Sequence, residues 1–221
     1  MKKLLSILLL ATLAMTASAQ YQFPNSTFDA EFISSYSSYT EPEGWHGYAT
    51  IDASNTNKLG RTGDKLVSST AVRNGVSGKC VYVKSTSIWG IIANGVMTNG
   101  QIYTHSTNAT DGTQNYNFSD PNNTGDASTY GSNNKFFTPF TGRPDSMRVW
   151  LKFVPASSGK GNARVSVYTH KAGTVMYDPT DKANQSIIVA HAEEAIPACD
   201  WTQYTIPFSY SSKSDPGLIL A

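Results

Sequence analysis

Charged residues make up only 15% of this chain, and cysteine is limited to Cys80 and Cys199. Bases and acids are nearly balanced. No basic stripe of the kind a nucleic-acid backbone requires is present, nor a cationic cluster that would draw the protein to an anionic bilayer. Several enzyme signatures are missing too. There is no Gly-x-Ser-x-Gly elbow and no Gly-x-x-x-x-Gly-Lys-Ser/Thr phosphate loop. His191-Ala192-Glu193-Glu194 lacks the second histidine of a zinc peptidase helix. His46, His105, His170 and His191 share no spacing, and no Cys/His cluster has zinc-ligand spacing. The histidines read as packing or surface residues.

Long apolar runs are confined to the N-terminus. Met1-Lys2-Lys3 is a short positive region, residues 4–13 are apolar apart from Ser6 and Thr12, and Ala17-Ser18-Ala19 is a small-x-small cleavage site before Gln20. This is the three-part pattern of a secretory signal peptide. The apolar stretch is too short to span a bilayer, which takes ~20 residues. The expectation is export through the Sec pathway, cleavage between Ala19 and Gln20, and residence in the periplasm, at the cell surface or outside the cell. Loss of Lys2 and Lys3 with the leader leaves one more acid than base in residues 20–221. That length buries a sizeable core without staples and suits one β-domain. In an oxidising compartment two readings of the cysteines stand: one Cys80–Cys199 disulfide, or two separate buried thiols acting as small apolar residues.

The mature chain is rich in Ser, Thr, Tyr, Val, Gly and Asn, and its apolar residues recur with period two. Met147, Val149, Leu151 and Phe153 alternate with Arg148, Trp150 and Lys152. Ala163, Val165 and Val167 alternate with Arg164, Ser166 and Tyr168, and residues 155–161 between these strands read as a hairpin loop. Residues 186–192 form a more continuous apolar strand. Thr202, Tyr204, Ile206, Phe208 and Tyr210 alternate with Trp201, Gln203, Thr205 and Pro207, and Pro207 belongs at an edge or bulge. Asn99-Gly100 reads as a hairpin turn between residues 91–97 and 100–104. Residues 105–135 carry no apolar periodicity and read as a long polar loop. The chain ends on Pro216-Gly217-Leu218-Ile219-Leu220-Ala221, which begins an apolar strand and implies further strands or domains beyond Ala221. The class expected is an all-β, two-sheet antiparallel jelly-roll sandwich.

Candidate site residues fall in two groups. Exposed aromatics stack on sugars, which makes Trp89 and Trp150 ligand-binding candidates, along with the loop residues Tyr103, His105, Tyr116 and Tyr130. The loop aromatics have an alternative reading as pins that hold the loop to the sandwich. Trp45 and Trp201 read as core or core-edge. Among the acids, Glu193 and Glu194 are strand neighbours and point apart. The pairs Asp29/Glu31 and Glu41/Glu43 have the better spacing for a glycosidase, which needs two carboxylates about one bond, but their turn-like surroundings suggest solvated carboxylates.

Two stretches carry a family resemblance. The first is Asn25-Ser26-Thr27-Phe28-Asp29 with Pro42-Glu43-Gly44-Trp45, which resembles the opening of galactose-binding-like jelly rolls. The second is Gly142-Arg143-Pro144-Asp145-Ser146 followed by Trp150-Leu151-Lys152-Phe153-Val154-Pro155, with Trp201-x-x-Tyr204-x-Ile206-Pro207-Phe208 later. These are similar to the PCMD family, a carbohydrate-metabolism domain of secreted and surface proteins of Bacteroidetes. The resemblance implies a glycan context and a non-catalytic module bound to carbohydrate. A glycan-active hydrolase or lyase using Asp29 and Glu31 is the second reading, and an adhesive or structural domain the third. It also implies no cofactor beyond a structural calcium held by Asp29 in the complete protein, where a late Asp would be the second ligand. The other reading of Asp29 is a turn or capping carboxylate.

Overall fold

The computed structural model describes residues 21–53, 58, 61, 66–88, 90–108, 110–122, 125–156, 161–179, 181–211 and 218–220. The segment expected to be a signal peptide, with its cleavage site at Ala19 and Gln20, lies outside the described residues, as does Trp89. The fold is an all-β antiparallel sandwich. In chain order the strands are β1 Phe32–Tyr36, β2 Tyr39–Pro42, β3 Asp52–Ala53, β4 Leu66–Ser69, β5 Cys80–Val83, β6 Thr86–Ile88, β7 Ile91–Ala93, β8 Gln101–Thr104 and β9 Asn115–Phe118. A single helical turn, α1 Ala127–Tyr130, precedes β10 Pro139–Thr141, β11 Ser146–Phe153, β12 Ala163–Lys171, β13 Ile188–Ile196, β14 Cys199–Pro207, β15 Ser209–Tyr210 and β16 Leu218–Leu220. Among the described residues no helix is long and apolar enough to cross a membrane.

The C-terminal half contains the largest sheet, ordered β10-β16-β12-β13-β15, and a separate ribbon of β11 with β14. Alternation sets which face of the ribbon is buried. Met147, Val149 and Leu151 lie opposite Ile206, Tyr204 and Thr202, while Arg148 and Trp150 lie opposite Thr205 and Gln203. Apart from the exposed Thr202, the first set is turned inward, with Ile206 fully buried, and the second is exposed. β13 lies against both β11 and β14, and Ile188, Val189, Ala190, Ala192 and Ile196 of β13 are buried. β14 ends at Pro207, which cannot donate to a ladder, and the chain passes at once to β15 on the other sheet. The Gly142-Arg143-Pro144-Asp145-Ser146 segment supports this crossing. Phe208 N donates to Asp145 O at 2.9 Å, Tyr210 Oη donates to Pro144 O at 2.8 Å, and the Arg143 guanidinium covers the Tyr210 ring at 4.1 Å.

Pairing differs from the sequence reading at two places. β11 and β12 do not form a hairpin: β11 pairs with β14 and β12 with β13, so the connection between them changes layer. Asn99-Gly100 does not turn a hairpin either. β7 folds back on β6, and Thr98 is bridged to His46, His46 N donating to Thr98 O at 2.6 Å and Thr98 N to His46 O at 2.9 Å. With both backbone groups taken, the segment ahead of β8 cannot fold back on it, and β8 pairs instead with β9 and, in parallel, with β3. The polar excursion at 105–135 carries β9 and α1, the latter capped by the Asp126 carboxylate on Ser128 N. β16 lies between β10 and β12, paired on both edges.

The N-terminal half is organised around a buried carboxylate. The Ser- and Tyr-rich stretch after Phe32 forms the β1–β2 hairpin and delivers Glu41 into the interior at 2% exposure. Glu41 Oε1 accepts from Gly47 N at 2.6 Å and Ala49 N at 3.2 Å, and Oε2 accepts from Thr50 Oγ1 at 3.1 Å. The reading of Glu41 as solvated is corrected here: three donors converge on it, which offsets the cost of burying a carboxylate. Gly47 is required by close approach, since a Cβ there would stand 2.9 Å from Leu66 Cγ and 3.3 Å from Glu41 Oε1. Asn133 ties down the turn that follows. Its amide donates to Pro42 O and Trp45 O at 3.2 and 3.0 Å, and its oxygen accepts from Gly44 N at 2.9 Å. Ile51, Ala53 and Ile102 form the apolar cluster just beyond.

His170 in β12 is fully buried, with Nδ1 3.1 Å from Thr174 Oγ1. Burial holds its pKa below the usual 6.5, against smaller opposing effects from the Lys171 backbone and Asp120. The folded chain therefore binds fewer protons than the unfolded chain just below pH 6.5, so stability falls as pH drops through that value. We expect the urea midpoint to fall between about pH 7.5 and about pH 5.5, and His170→Asn to flatten that fall. An unchanged pH profile in the variant would refute the assignment.

Candidate functional site

The outer face of the β11–β14 ribbon carries a cleft of about 410 Å³. Trp150 and Lys152 of β11, Asp200 and Trp201 of β14, and Arg73 and Asn74 from the β4–β5 connection line it. Strand alternation places Trp150 and Lys152 on one face, ~7 Å apart along the strand, and Trp150 is 40% exposed. The Arg73 guanidinium stands over the Trp150 ring at 4.3 Å, a cation–π contact. Lys152 Nζ binds Asp200 Oδ1 at 2.9 Å, and Trp201 N donates to the same oxygen at 2.9 Å. The hydrogen bond from Lys152, then that from the Trp201 backbone, holds the Asp200 carboxyl below the usual carboxylate range.

The long connection of residues 70–79 is positioned at both ends. Leu66 at the start of β4 is buried over Gly47. At the far end Asp29 Oδ1 accepts from Lys79 N at 3.0 Å and Glu31 Oε1 receives Lys79 Nζ at 3.1 Å. Gly78 has φ +112, and a Cβ there would collide with the Asp29 carboxylate. Within the loop, Ala71 N donates to Ser69 Oγ at 3.1 Å and Val76 N to Arg73 O at 3.3 Å. Asp29 is thus a capping carboxylate, beside a lysine. Calcium needs six to eight oxygen ligands, and one of the two Asp29 oxygens is already taken by the Lys79 amide. Among the described residues no group of three His, Cys, Asp or Glu side chains is placed to hold a metal.

Tyr103, His105 and Tyr116 come together on the β8–β9 face. Tyr103 stacks on His105 at 4.1 Å and on Tyr116 at 4.7 Å, both at 18°. Asp52 Oδ1 holds His105 Nε2 at 3.0 Å. Phe118 and the half-exposed Tyr177 extend the cluster. Burial first, then Tyr103, Tyr177, Asp52 and Asp178, pushes the Tyr116 hydroxyl pKa up. Tyr103 presents edges, because both of its faces are covered by its neighbours. Tyr130 stands apart, edge-on to the buried Phe136 at 5.3 Å, and pins the excursion.

Cys80 and Cys199 are free thiols, Cys80 Sγ facing Ala71 O at 3.8 Å and Cys199 Sγ facing Leu151 O at 4.0 Å. Glu193 is bound by Arg164 at 3.4 Å and Tyr168 at 3.1 Å. Sequence reasoning placed Trp150 outward and Trp201 at the core or its edge; Trp201 is half-buried and lines the cleft. The signal was its phase with Gln203 and Thr205, opposite to buried Ile206. Nothing local marked Arg73. Comparison with protein-family models, curated proteins and solved structures yields no match.

Removing the Asp29 cap should be visible in stability and not in metal dependence. Asp29→Ala should cost about 1 kcal/mol in urea unfolding, one exposed hydrogen bond to a charged acceptor. Chelation with EDTA should leave the wild-type midpoint in place. A lower midpoint in EDTA, restored by calcium, would contradict the capping role.

Proposed function

We propose that this chain is a secreted, non-catalytic β-sandwich module of the PCMD type that binds glycan in the cleft between Trp150, Trp201 and the 70–79 loop. The observation that carries the reading is the combination of two tryptophans with hydrogen-bonding side chains in one open depression. Sugars need that combination: an apolar ring face for the C–H side of the pyranose, and polar groups around it for the hydroxyls. Asn74 and Asp200 supply such groups. Secretion rests on the leader at residues 1–19, and the family assignment on the Gly142–Ser146 and Trp201–Phe208 motifs. The reading is non-catalytic because Asp29 and Glu31 are both engaged with Lys79, outside the cleft lining.

The magnitude can be set. Taking roughly 60 Å² of ring face out of water contributes about 1.5 kcal/mol at ~25 cal/mol/Å², close to a tenfold change in affinity. Affinity electrophoresis of the mature chain through gels containing charged and uncharged polysaccharides should show retardation by at least one of them. Trp150→Ala and Trp201→Ala should each weaken it about tenfold, with the circular dichroism spectrum unchanged. Failure to bind any polysaccharide would refute the glycan reading and favour the adhesive or structural role.

A further inference from the structure

The cleft has a charge pattern as well as aromatic walls. Resting on the glycan reading above, we propose that its ligand is a carboxylate-bearing polysaccharide, a polyuronate, with Arg73 and Lys152 as the groups that select the acid. Arg148, Trp150 and Lys152 form one exposed row on β11, each ~7 Å from the next. Arg73 reaches across from the loop to cover Trp150. Two cations, Arg73 and Lys152, therefore line the cleft against one acid, Asp200, and Arg148 follows next along the row. Asp29 and Glu31, at the base of the loop, are already matched by Lys79.

The geometry favours a carboxylate in particular. A guanidinium lying on a tryptophan face is held in orientation and keeps its N–H donors in plane, where a planar carboxylate can take two of them at once. Lys152 can be recruited cheaply. Its pair with Asp200 is surface exposed, at 45% and 82% for the two side chains, and such pairs contribute little. Asp200 keeps its hydrogen bond from Trp201 N when Lys152 turns to a ligand, and remains in place to accept from sugar hydroxyls. An acid-plus-hydroxyl ligand finds a donor and an acceptor a few ångströms apart, with aromatic faces between them. A uniformly sulfated chain would bring more negative charge against Asp200 than the two lining cations balance.

Isothermal titration of the full mature chain should distinguish the outcomes. The probes are polygalacturonate, the same polymer with its carboxylates methyl-esterified, neutral galactan and a sulfated galactan. Polygalacturonate should bind about tenfold more tightly than its methyl ester. That advantage should collapse when salt is raised from about 50 mM to about 0.5 M. Arg73→Gln and Lys152→Met should each bring the ratio of acid to ester affinity down toward one, whatever each does to binding of the ester itself. Equal affinity for the acid and its ester, insensitive to salt, would overturn the polyuronate assignment and leave the glycan reading standing. So would tighter binding of sulfated galactan. If none of the four polymers binds, and the wider panel of polysaccharides is negative too, both readings fall.

Discussion

The Glu41 carboxylate is the interaction on which the first half of the structure depends. A buried carboxylate is costly unless its oxygens are met by donors, and here the backbone of residues 47–49 and the Thr50 hydroxyl meet them. The bargain works in both directions. The β1–β2 hairpin gains an anchor, and the short 3-10 turn at Tyr48–Thr50 gains the acceptor its first N–H groups would otherwise lack. Further groups then attach to this backbone. Gln101 Nε2 donates to Thr50 O at 2.8 Å, and Arg61 Nη2 donates to Ile51 O at 2.6 Å. His46, one residue earlier, carries the bridge to Thr98 and reaches Lys135 O through Nε2 at 2.8 Å. Strands β2, β3 and β8 and the excursion after β9 are thereby held together through one short stretch of chain.

That stretch is linked to the cleft by packing. Gly47 has no side chain, so Leu66 can sit against its backbone, beside the point where the Glu41 carboxylate approaches. Leu66 opens β4, whose pairing with β5 holds the two ends of the 70–79 loop side by side. The Asp29 cap on Lys79 fixes the second end, and the loop delivers Arg73 to Trp150. The rigid wall of the cleft is the β11–β14 ribbon, while the loop wall owes its position to contacts some distance away. Sites on loops are as precise as the elements that brace them, and this loop is braced by a buried polar network and by a surface carboxylate.

Much of the C-terminal half is legible in the sequence. Met147, Val149 and Leu151 face inward and Trp150 outward, because period-two alternation on a ribbon with one buried face leaves little choice of register. What alternation does not reveal is which strands pair. The two-layer crossing after β11 and the bridge from His46 to Thr98 are long-range facts, and a favourable Asn-Gly dipeptide was overridden by that bridge. Strand β9 was hidden by its brevity, though Asn115-Tyr116-Asn117-Phe118 alternates. Glu41 is the clearest case of a signal absent from the local sequence. An acid between Thr40 and Pro42 reads as a turn residue in water, and only the folded chain supplies three donors in its place. At the candidate site, Trp150, Tyr103, His105 and Tyr116 could be named from residue type and phase. Arg73 could not, since its role comes from a loop end fixed fifty residues earlier by Asp29.

The account's central claim is that Glu41 holds residues 47–50 as a unit of the core. Native-state hydrogen exchange on the Gly47 and Ala49 amides tests it most directly. Both amides should exchange only through global unfolding, with protection rising in step with overall stability, because their acceptor is a buried carboxylate. Exchange of either amide at the rate of the exposed turns, independent of global stability, would contradict it.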